Sequence, residues 1–167
     1  KQQLTDIYTG KITNWKDVGG KDEAIVLVNR AQGSGTRFTF EHDVLDGESA
    51  KTSQEQDDNG AVQKIVSTTP GAISYLAFSY TTGPNAKGIK TVAIDKVKPT
   101  DINVAANKWQ IWAYEHMYTT KKTDKNTKSY IKFVQSKAMK STIKKLGYIP
   151  VSDMKVTKNA DGDVKKN

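Results

Sequence analysis

Apolar residues near the start of the chain first follow helical spacing and then form a continuous run. Leu4, Ile7 and Tyr8 lie at helical spacing, which predicts a helix, and Gly10 is placed to end it. Residues 24–28 then form an uninterrupted apolar run that is rich in β-branched side chains. Such a run is typical of a strand buried on both faces of a parallel sheet.

A glycine-rich segment and a second helix follow this strand. The segment extends from Asn29 to Arg37, and residues 38–44 continue it as a short helix. Strand, glycine-rich turn and helix together form one α/β unit.

The middle of the chain predicts further strands, a helix and polar connections. Residues 47–60 are nearly all polar and predict an exposed loop, whereas residues 61–66 predict a helix. A turn is predicted over residues 81–88, with Gly83-Pro84-Asn85 at its centre. Three more strands are predicted, over residues 72–78, 89–94 and 111–118.

The last part of the chain predicts the longest helix and a tail. The helix is expected over residues 127–146 with Gly147 as its cap, and the lysine-rich residues from 155 onward are expected to fray. The whole pattern predicts an α/β fold, with a central mixed sheet flanked by helices on both faces.

Composition supports a folded domain and excludes several function classes. Of the 167 residues, 36% are hydrophobic, and no apolar run approaches the ~20 residues that a membrane-spanning helix needs. The chain has no cysteine and only two histidines, His42 and His116. Disulfide scaffolds, thiolate nucleophiles and histidine-rich metal sites are therefore excluded, and we expect neither a metal nor a cofactor.

The formal net charge of +8 comes from the last part of the chain. Residues 1–120 hold 13 basic and 14 acidic residues, whereas residues 121–167 hold 13 lysines and 4 acidic residues. Nucleic-acid-binding proteins usually combine arginine with aromatic or base-reading residues on one face. A lysine-rich helix and tail is more typical of a solvated surface, so we expect no nucleic-acid partner.

Residues 30–37 are the strongest candidate for a binding site. Gly33 and Gly35 allow a ligand to approach the backbone closely, and the following helix directs its unpaired N–H groups and positive dipole end there. The segment adds hydroxyl and guanidinium groups, from Ser34, Thr36, Arg30 and Arg37. Because all of these groups donate hydrogen bonds, we expect an anion, and phosphate fits best by geometry.

An ordinary structural turn is the alternative interpretation of this segment. Gly-Ser-Gly-Thr is a common turn in which Ser or Thr caps a helix. The segment lacks the Gly-Lys-[Ser/Thr] of a P-loop and the Gly-x-Ser-x-Gly spacing of a nucleophile elbow. We expect His42 and His116 to be packed or surface residues, not catalytic bases.

Four motifs, in order along the chain, resemble those of a known family. They are LTDIYTGKITNWKDV at residues 4–18, NRAQGSGTR at 29–37, PGAISY at 70–75 and LGYIPV at 146–151. Together they resemble the second domain of phosphate-binding proteins of the PstS type, which are periplasmic or lipid-anchored. The resemblance extends from about Leu4 to Met154, most of the chain.

The resemblance implies a solute receptor for a phosphate-importing ABC transporter, with the type II periplasmic-binding-protein fold. In that fold two α/β lobes close on dehydrated phosphate. The resemblance implies that the phosphate contacts are Arg30, Ser34, Thr36 and the backbone N–H of Gly35. The residues expected around them are Gln32, Gly33 and Arg37.

Gln32 departs from the family, which commonly has an acidic residue at this position as a partner of the loop arginine. The departure implies a more positive loop and a less restrained Arg30.

The resemblance also implies that the chain is a truncated half of a receptor. Residues 1–112 would form the second lobe, and residues 113–154 a returning strand and helix that pack on the missing first lobe, followed by a polar tail over 155–167. The first lobe would hold the aspartate that accepts a proton from hydrogen phosphate. We therefore expect this chain alone to bind phosphate weakly, with little preference over sulfate.

The implied location is extracytoplasmic, in the periplasm or at the cell surface, as a lipoprotein in the full-length protein. The implied partners are inorganic phosphate, ABC transporter membrane subunits and, through a lipid anchor, the membrane or cell wall. The first alternative is a phosphatase or phosphotransferase that holds phosphate with residues 30–36. Because the loop has no credible nucleophile–base pair or metal cluster near it, we expect binding without catalysis. The other alternative is a surface adhesin on the same fold, which would act through residues 47–60 or the lysine-rich end.

Overall fold

The first half of the chain alternates between helices and strands. In the computed structural model, which describes residues 1–82 and 86–167, α1 (Gln2–Tyr8) precedes a β-α-β-α-β unit. The unit consists of β1 (Val26–Arg30), α2 (Gly35–Leu45), β2 (Gln54–Gln56), α3 (Asn59–Thr68) and β3 (Ala72–Ile73). This order confirms the predicted α/β fold. The predicted turn centre at residues 83–85 lies outside the described residues.

β1 is the central strand of a three-stranded sheet with the order β2-β1-β3. It pairs with β2 over residues 28–30 and with β3 over residues 26–27. Both pairings are parallel, where the sequence analysis expected a mixed sheet. β1 also begins two residues later than predicted and continues to Arg30, so Arg30 itself lies at the carboxyl end of the central strand.

β2 replaces part of the loop that was predicted over residues 47–60. Its three residues, Gln54-Glu55-Gln56, include no apolar side chain, so no pattern of hydrophobic positions could reveal it. Backbone pairing to β1 forms the strand, and the Ala31 N–H extends the ladder by donating to the Gln56 carbonyl at 3.0 Å.

Two predicted strands are wrong, and a third is shorter than predicted. Residues 89–94 form only a bridge from Ile94 to Val97 around a turn with positive φ, and residues 111–118 pair with no strand among the described residues. β3 ends at Ile73, although the apolar pattern continues to residue 78. These segments have suitable side chains, but no neighbouring backbone completes a ladder in the described structure.

Side-chain caps define where several helices begin. In each case an oxygen of the residue before the helix accepts a backbone N–H from its first turn, which satisfies one of the unpaired donors there. The capping residues are Ser34 for α2, Asp58 for α3, Thr100 for α4 (Asp101–Ala105) and Asp124 for α5 (Lys125–Val134).

The larger hydrophobic core lies where α1 and α2 meet the sheet. Its buried members are Ile7, Tyr8, Phe40, Val44, Leu45, Ala50 and Ile73. The Tyr8 ring meets the Phe40 ring edge-on with 4.6 Å between centroids, and Phe40 stacks on Tyr75 at 4.1 Å. A smaller core links α4 to the later part of the chain through Ala105, Trp112, Met154 and Val156.

The single helix predicted over residues 127–146 is divided in two. α5 ends at Val134, a 3-10 turn covers Lys137–Met139, and α6 (Lys140–Lys145) follows. The break occurs at Ser136, whose backbone is extended and whose hydroxyl has no hydrogen-bond partner among the described residues. Gly147 ends α6 as predicted, with φ of 82°. None of the described helices is both long and apolar enough to cross a membrane.

The expected frayed tail is instead an ordered hairpin. β4 (Val156–Lys158) pairs antiparallel with β5 (Val164–Lys166), and Val156 is buried in the smaller core. The Lys158 Nζ lies 3.0 Å from Asp43 Oδ2 of α2, donates to the Trp112 carbonyl at 3.1 Å and lies over the Trp112 ring. This nearly buried ion pair fixes the hairpin to the carboxyl-terminal half of α2.

Arg37 joins α2 to both neighbouring strands. Only 5% of this residue is exposed, and its Nη1 donates to the Arg30 carbonyl at 2.9 Å and to Glu55 Oε1 at 2.6 Å. Its Nε donates to Glu41 Oε1 at 2.9 Å. Burial opposes the charged form of Arg37, but the hydrogen bonds to Glu55 and Glu41 outweigh this effect and raise its pKa. Arg37 therefore links β1, β2 and α2 through one buried cation.

Replacing Arg37 with Met should destabilise the fold strongly. The substitution keeps much of the side-chain volume, but it leaves the Glu41 carboxylate without its cationic partner and removes the guanidinium donor from the Arg30 carbonyl. We expect the free energy of unfolding in urea to fall by about 3 kcal/mol. Lys64→Met, which changes an exposed residue of α3, is the matched control and should change it by less than about 0.5 kcal/mol. Equal effects of the two substitutions would contradict a structural role for Arg37.

Tyr8→Phe should stabilise the fold. The Tyr8 hydroxyl is buried and has no hydrogen-bond partner in the described part of the chain, so removing it relieves a desolvation cost of about 1 kcal/mol. Burial, with a smaller contribution from Tyr75, also raises the pKa of Tyr8 well above its usual value of about 10. The unfolded chain therefore releases this proton first, and stability falls as the pH rises above about 10.

The two effects are measured together in urea unfolding curves between neutral and strongly alkaline pH. The variant should be more stable at neutral pH and should lose less stability above about pH 10 than the parent chain does. A variant that is less stable at neutral pH would indicate that the hydroxyl has a partner.

Candidate anion-binding site

The candidate site is the connection between β1 and α2. The Ser34 N–H donates to the Ala31 carbonyl at 2.9 Å, which closes the turn. The Ser34 Oγ accepts the Arg37 N–H at 3.3 Å, so Ser34 is the cap of α2. The turn interpretation and the anion-site interpretation are therefore compatible, because the same serine ends the turn and begins the helix.

The first N–H groups of α2 are open to a ligand. Those of Gly35 and Thr36 have no acceptor in the part of the chain that the structure describes. A Cβ added at Gly33 or Gly35 would meet no atom within 4 Å, and neither glycine has a positive φ. These glycines thus leave space in front of the helix terminus, where the positive end of the helix dipole lies.

Arg30 is held from behind by the connection between β2 and α3. Its Nε donates to the Gln56 carbonyl at 3.3 Å, its Nη2 to the Asp57 carbonyl at 2.5 Å and its Nη1 to Asn59 Oδ1 at 2.7 Å. The expectation that Gln32 leaves Arg30 less restrained is therefore wrong. Three of the five N–H donors of the guanidinium are therefore used, and Arg30 is only 7% exposed.

The other expected residues divide into exposed and buried groups. Gln32 and Gly33 are exposed at the turn, and Ser34 and Thr36 are half-buried. Arg37, by contrast, directs its guanidinium into the protein and is used by Glu41, Glu55 and the Arg30 carbonyl. The structure thus brings the donors of residues 34–36 together, and Arg37 holds the turn that carries them in place from the inside.

Asn59 and Tyr75 are contacts of Arg30 that sequence reasoning missed. Asn59 Oδ1 also accepts the Ala77 N–H at 3.2 Å, and the Tyr75 hydroxyl accepts the Arg30 N–H at 3.4 Å. Partial burial raises the pKa of Tyr75 and keeps the hydroxyl protonated. An available signal for Asn59 was its place just after Asp58, which is a typical helix cap before the apolar residues of α3.

The two histidines are not part of this site. His42 lies on α2 with its Nδ1 2.8 Å from Asp43 Oδ1, and His116 contacts the rings of Tyr114 and Tyr118. Within the described ranges no group of three or more His, Asp or Glu side chains could hold a metal ion. The loop borders a cavity of about 2420 Å³, which is much larger than a phosphate ion and extends well beyond the loop.

Comparison with known proteins identifies relatives of this chain. The PBP superfamily domain model matches residues 1–138. The phosphate-binding protein PstS of Bacillus subtilis (strain 168) is 46% identical over 163 residues, which cover 97% of this chain and 53% of that protein. The phosphate-binding protein PstS of Borreliella burgdorferi is 29% identical over 161 residues, which cover 90% of this chain and 57% of that protein. This chain spans about half the length of the curated relatives it matches.

Solved structures extend the similarity to the fold. A candidate phosphate ABC transporter substrate-binding protein from Clostridium perfringens, solved with bound phosphate, matches 89% of this chain and 61% of its own, with a TM-score of 0.81 and 35% identity. An ABC-type phosphate transport receptor from Vibrio cholerae matches 89% of this chain and 62% of its own, with a TM-score of 0.67 and 31% sequence identity. The names of these relatives describe binding proteins and not enzymes, which agrees with the expectation of binding without catalysis. The chain belongs to the PBP superfamily and is a homologue of the PstS phosphate-binding proteins.

Proposed function

We propose that this chain is the part of a phosphate receptor that presents a helix terminus to inorganic phosphate. The observation that carries the proposal is the open start of α2, where the N–H groups of Gly35 and Thr36 are unpaired beside the Ser34 hydroxyl. The names of the relatives support phosphate as the anion, and the Clostridium perfringens structure holds it. The whole receptor would deliver phosphate to the membrane subunits of an ABC importer.

The chemistry of the loop favours a tetrahedral oxyanion. The Ser34 oxygen already accepts a hydrogen bond, so its O–H is free to donate, and the two remaining donors of Arg30 are charged. Each of these groups donates, and a phosphate oxygen can accept from several of them. Gln32 and Gly33 would border the ligand, and Arg37 would hold the helix in place.

The other half of the receptor would supply what this loop lacks. Hydrogen phosphate carries a proton that sulfate lacks at neutral pH, and only a hydrogen-bond acceptor can distinguish the two. The donors at residues 34–36 treat the two anions alike. We therefore assign selectivity to a first lobe, which would meet residues 113–154 of this chain and cover exposed side chains such as Phe133.

The proposed receptor works outside the cytoplasm, as ABC transporter substrate-binding proteins do. Attachment to the membrane or cell wall through a lipid anchor remains part of the proposal. The division of the chain at residues 112 and 154 also remains a prediction.

Calorimetric titration of the chain with phosphate tests the proposal. We expect weak binding, on the order of millimolar, with similar heats for sulfate. We expect Gly35→Ala to abolish it, because the added methyl group would narrow the approach to the unpaired N–H groups, and it meets no atom within 4 Å that would disturb the helix. Arg30→Ala should also abolish binding, but it removes three structural hydrogen bonds as well, so it is the less specific variant.

Gly60→Ala is the control, because it adds the same methyl group to the first turn of α3, where the new Cβ would lie 3.2 Å from Asp58 Oδ1 and that side chain must shift slightly. Circular dichroism and urea unfolding should confirm that both glycine variants are folded. Phosphate binding that survives Gly35→Ala and Arg30→Ala would refute this site and favour an adhesin on the same fold. Turnover of p-nitrophenyl phosphate by the chain would instead favour a phosphatase.

A further inference from the structure

The lysines at the start of the α5 region form a second charged surface, separate from the phosphate loop. Residues 121–132 contain five lysines and one acidic residue, Asp124. We call this set the lysine surface, and all of its members are exposed: Lys121, Lys122, Lys125, Lys128 and Lys132. It is independent of the proposed phosphate site, since it rests on other residues.

Helical geometry places the α5 lysines on one side. At 3.6 residues per turn, Lys125, Lys128 and Lys132 fall within an arc of about 60°. The apolar residues Tyr130, Phe133 and neighbours are centred on the opposite side of the helix. A first lobe that covers the apolar side would therefore leave the lysine surface in solvent.

Among the described residues, no carboxylate pairs with the lysine surface. None of its members forms a salt bridge among the described residues. The Asp124 carboxylate instead accepts from the Thr127 hydroxyl and the Thr127 and Asn126 N–H groups, and these hydrogen bonds lower its pKa. In contrast, Lys140 and Lys144 of α6 share Asp153.

The arrangement weakens α5 when nothing is bound to it. Lys125 and Lys128, and Lys128 and Lys132, are like charges at helical spacings of three and four, which destabilise a helix. Lys125 also occupies the first position of α5, where the positive end of the helix dipole disfavours a cation. An anionic surface would offset both effects.

We propose that the lysine surface docks the protein on an anionic phospholipid bilayer. A bilayer fits better than a second copy of the chain, whose identical lysines would repel it. It also fits better than a nucleic acid, because no aromatic side chain or arginine lies on the lysine arc to stack with bases. Clusters of four to eight basic residues are of the size that binds anionic headgroups.

Vesicle co-sedimentation tests the proposal. The chain should bind vesicles of phosphatidylcholine with about 30% phosphatidylglycerol, and it should not bind phosphatidylcholine alone. Raising the salt concentration should release it. A variant with three α5 substitutions should bind on the order of 100-fold more weakly: Lys125→Gln, Lys128→Gln and Lys132→Gln.

The matched control has the same net charge and three substitutions at exposed lysines elsewhere: Lys21→Gln, Lys64→Gln and Lys90→Gln. It should bind the anionic vesicles like the parent chain, and both variants should keep their circular dichroism spectra and phosphate heats. Equal loss in both variants would overturn the proposal, since net charge and not the surface would then govern binding. Absence of vesicle binding, equal binding to neutral vesicles, or tighter binding to single-stranded DNA would each overturn it as well.

Discussion

The candidate binding edge of this fold depends on one buried positive charge, the guanidinium of Arg37. It holds the last carbonyl of β1 and a carboxylate of β2 from a position in the first turn of α2. The same turn therefore has two roles: its backbone N–H groups open outward, while the side chain of its third residue binds inward. The direction in which the start of α2 points is thus fixed by the Arg37 guanidinium, which lies on the side of the helix that faces the sheet.

Arg30 adds a second constraint of the same kind. Two backbone carbonyls and the Asn59 side chain hold it, so its orientation depends on the β2–α3 connection and not on a neighbouring acid. Arg30 is thus restrained although position 32 holds Gln32 and not the carboxylate that the family resemblance led us to expect. Backbone carbonyls attract the guanidinium without neutralising its charge, which keeps the loop positive.

The sequence was sufficient for the parts of the fold that contain local signals. β1 and α2 follow from an apolar run, a glycine-rich turn and a capping serine, and these also mark the candidate site. β2 could not be predicted, because Gln54-Glu55-Gln56 is a strand only through its pairing with β1. The strand predictions for residues 89–94 and 111–118 were wrong for the opposite reason. Their side chains suit strands, but a strand also needs a neighbouring strand to pair with, and the local sequence does not show whether there is one. The hairpin at residues 156–166 was hidden by its lysines, one of which, Lys158, is nearly buried against Asp43 and Trp112.

The ion pair between Lys158 and Asp43 has a mechanical consequence for the receptor. It clamps the far half of α2 to the hairpin, while Arg37 clamps the near end to the sheet. A helix restrained at both ends cannot tilt or slide toward an arriving anion without breaking a nearly buried charge pair. Under the proposed function, capture of the anion would then move α2, the sheet and the hairpin together as one unit, so that a transporter would meet a lobe whose angle has changed and whose interior has not.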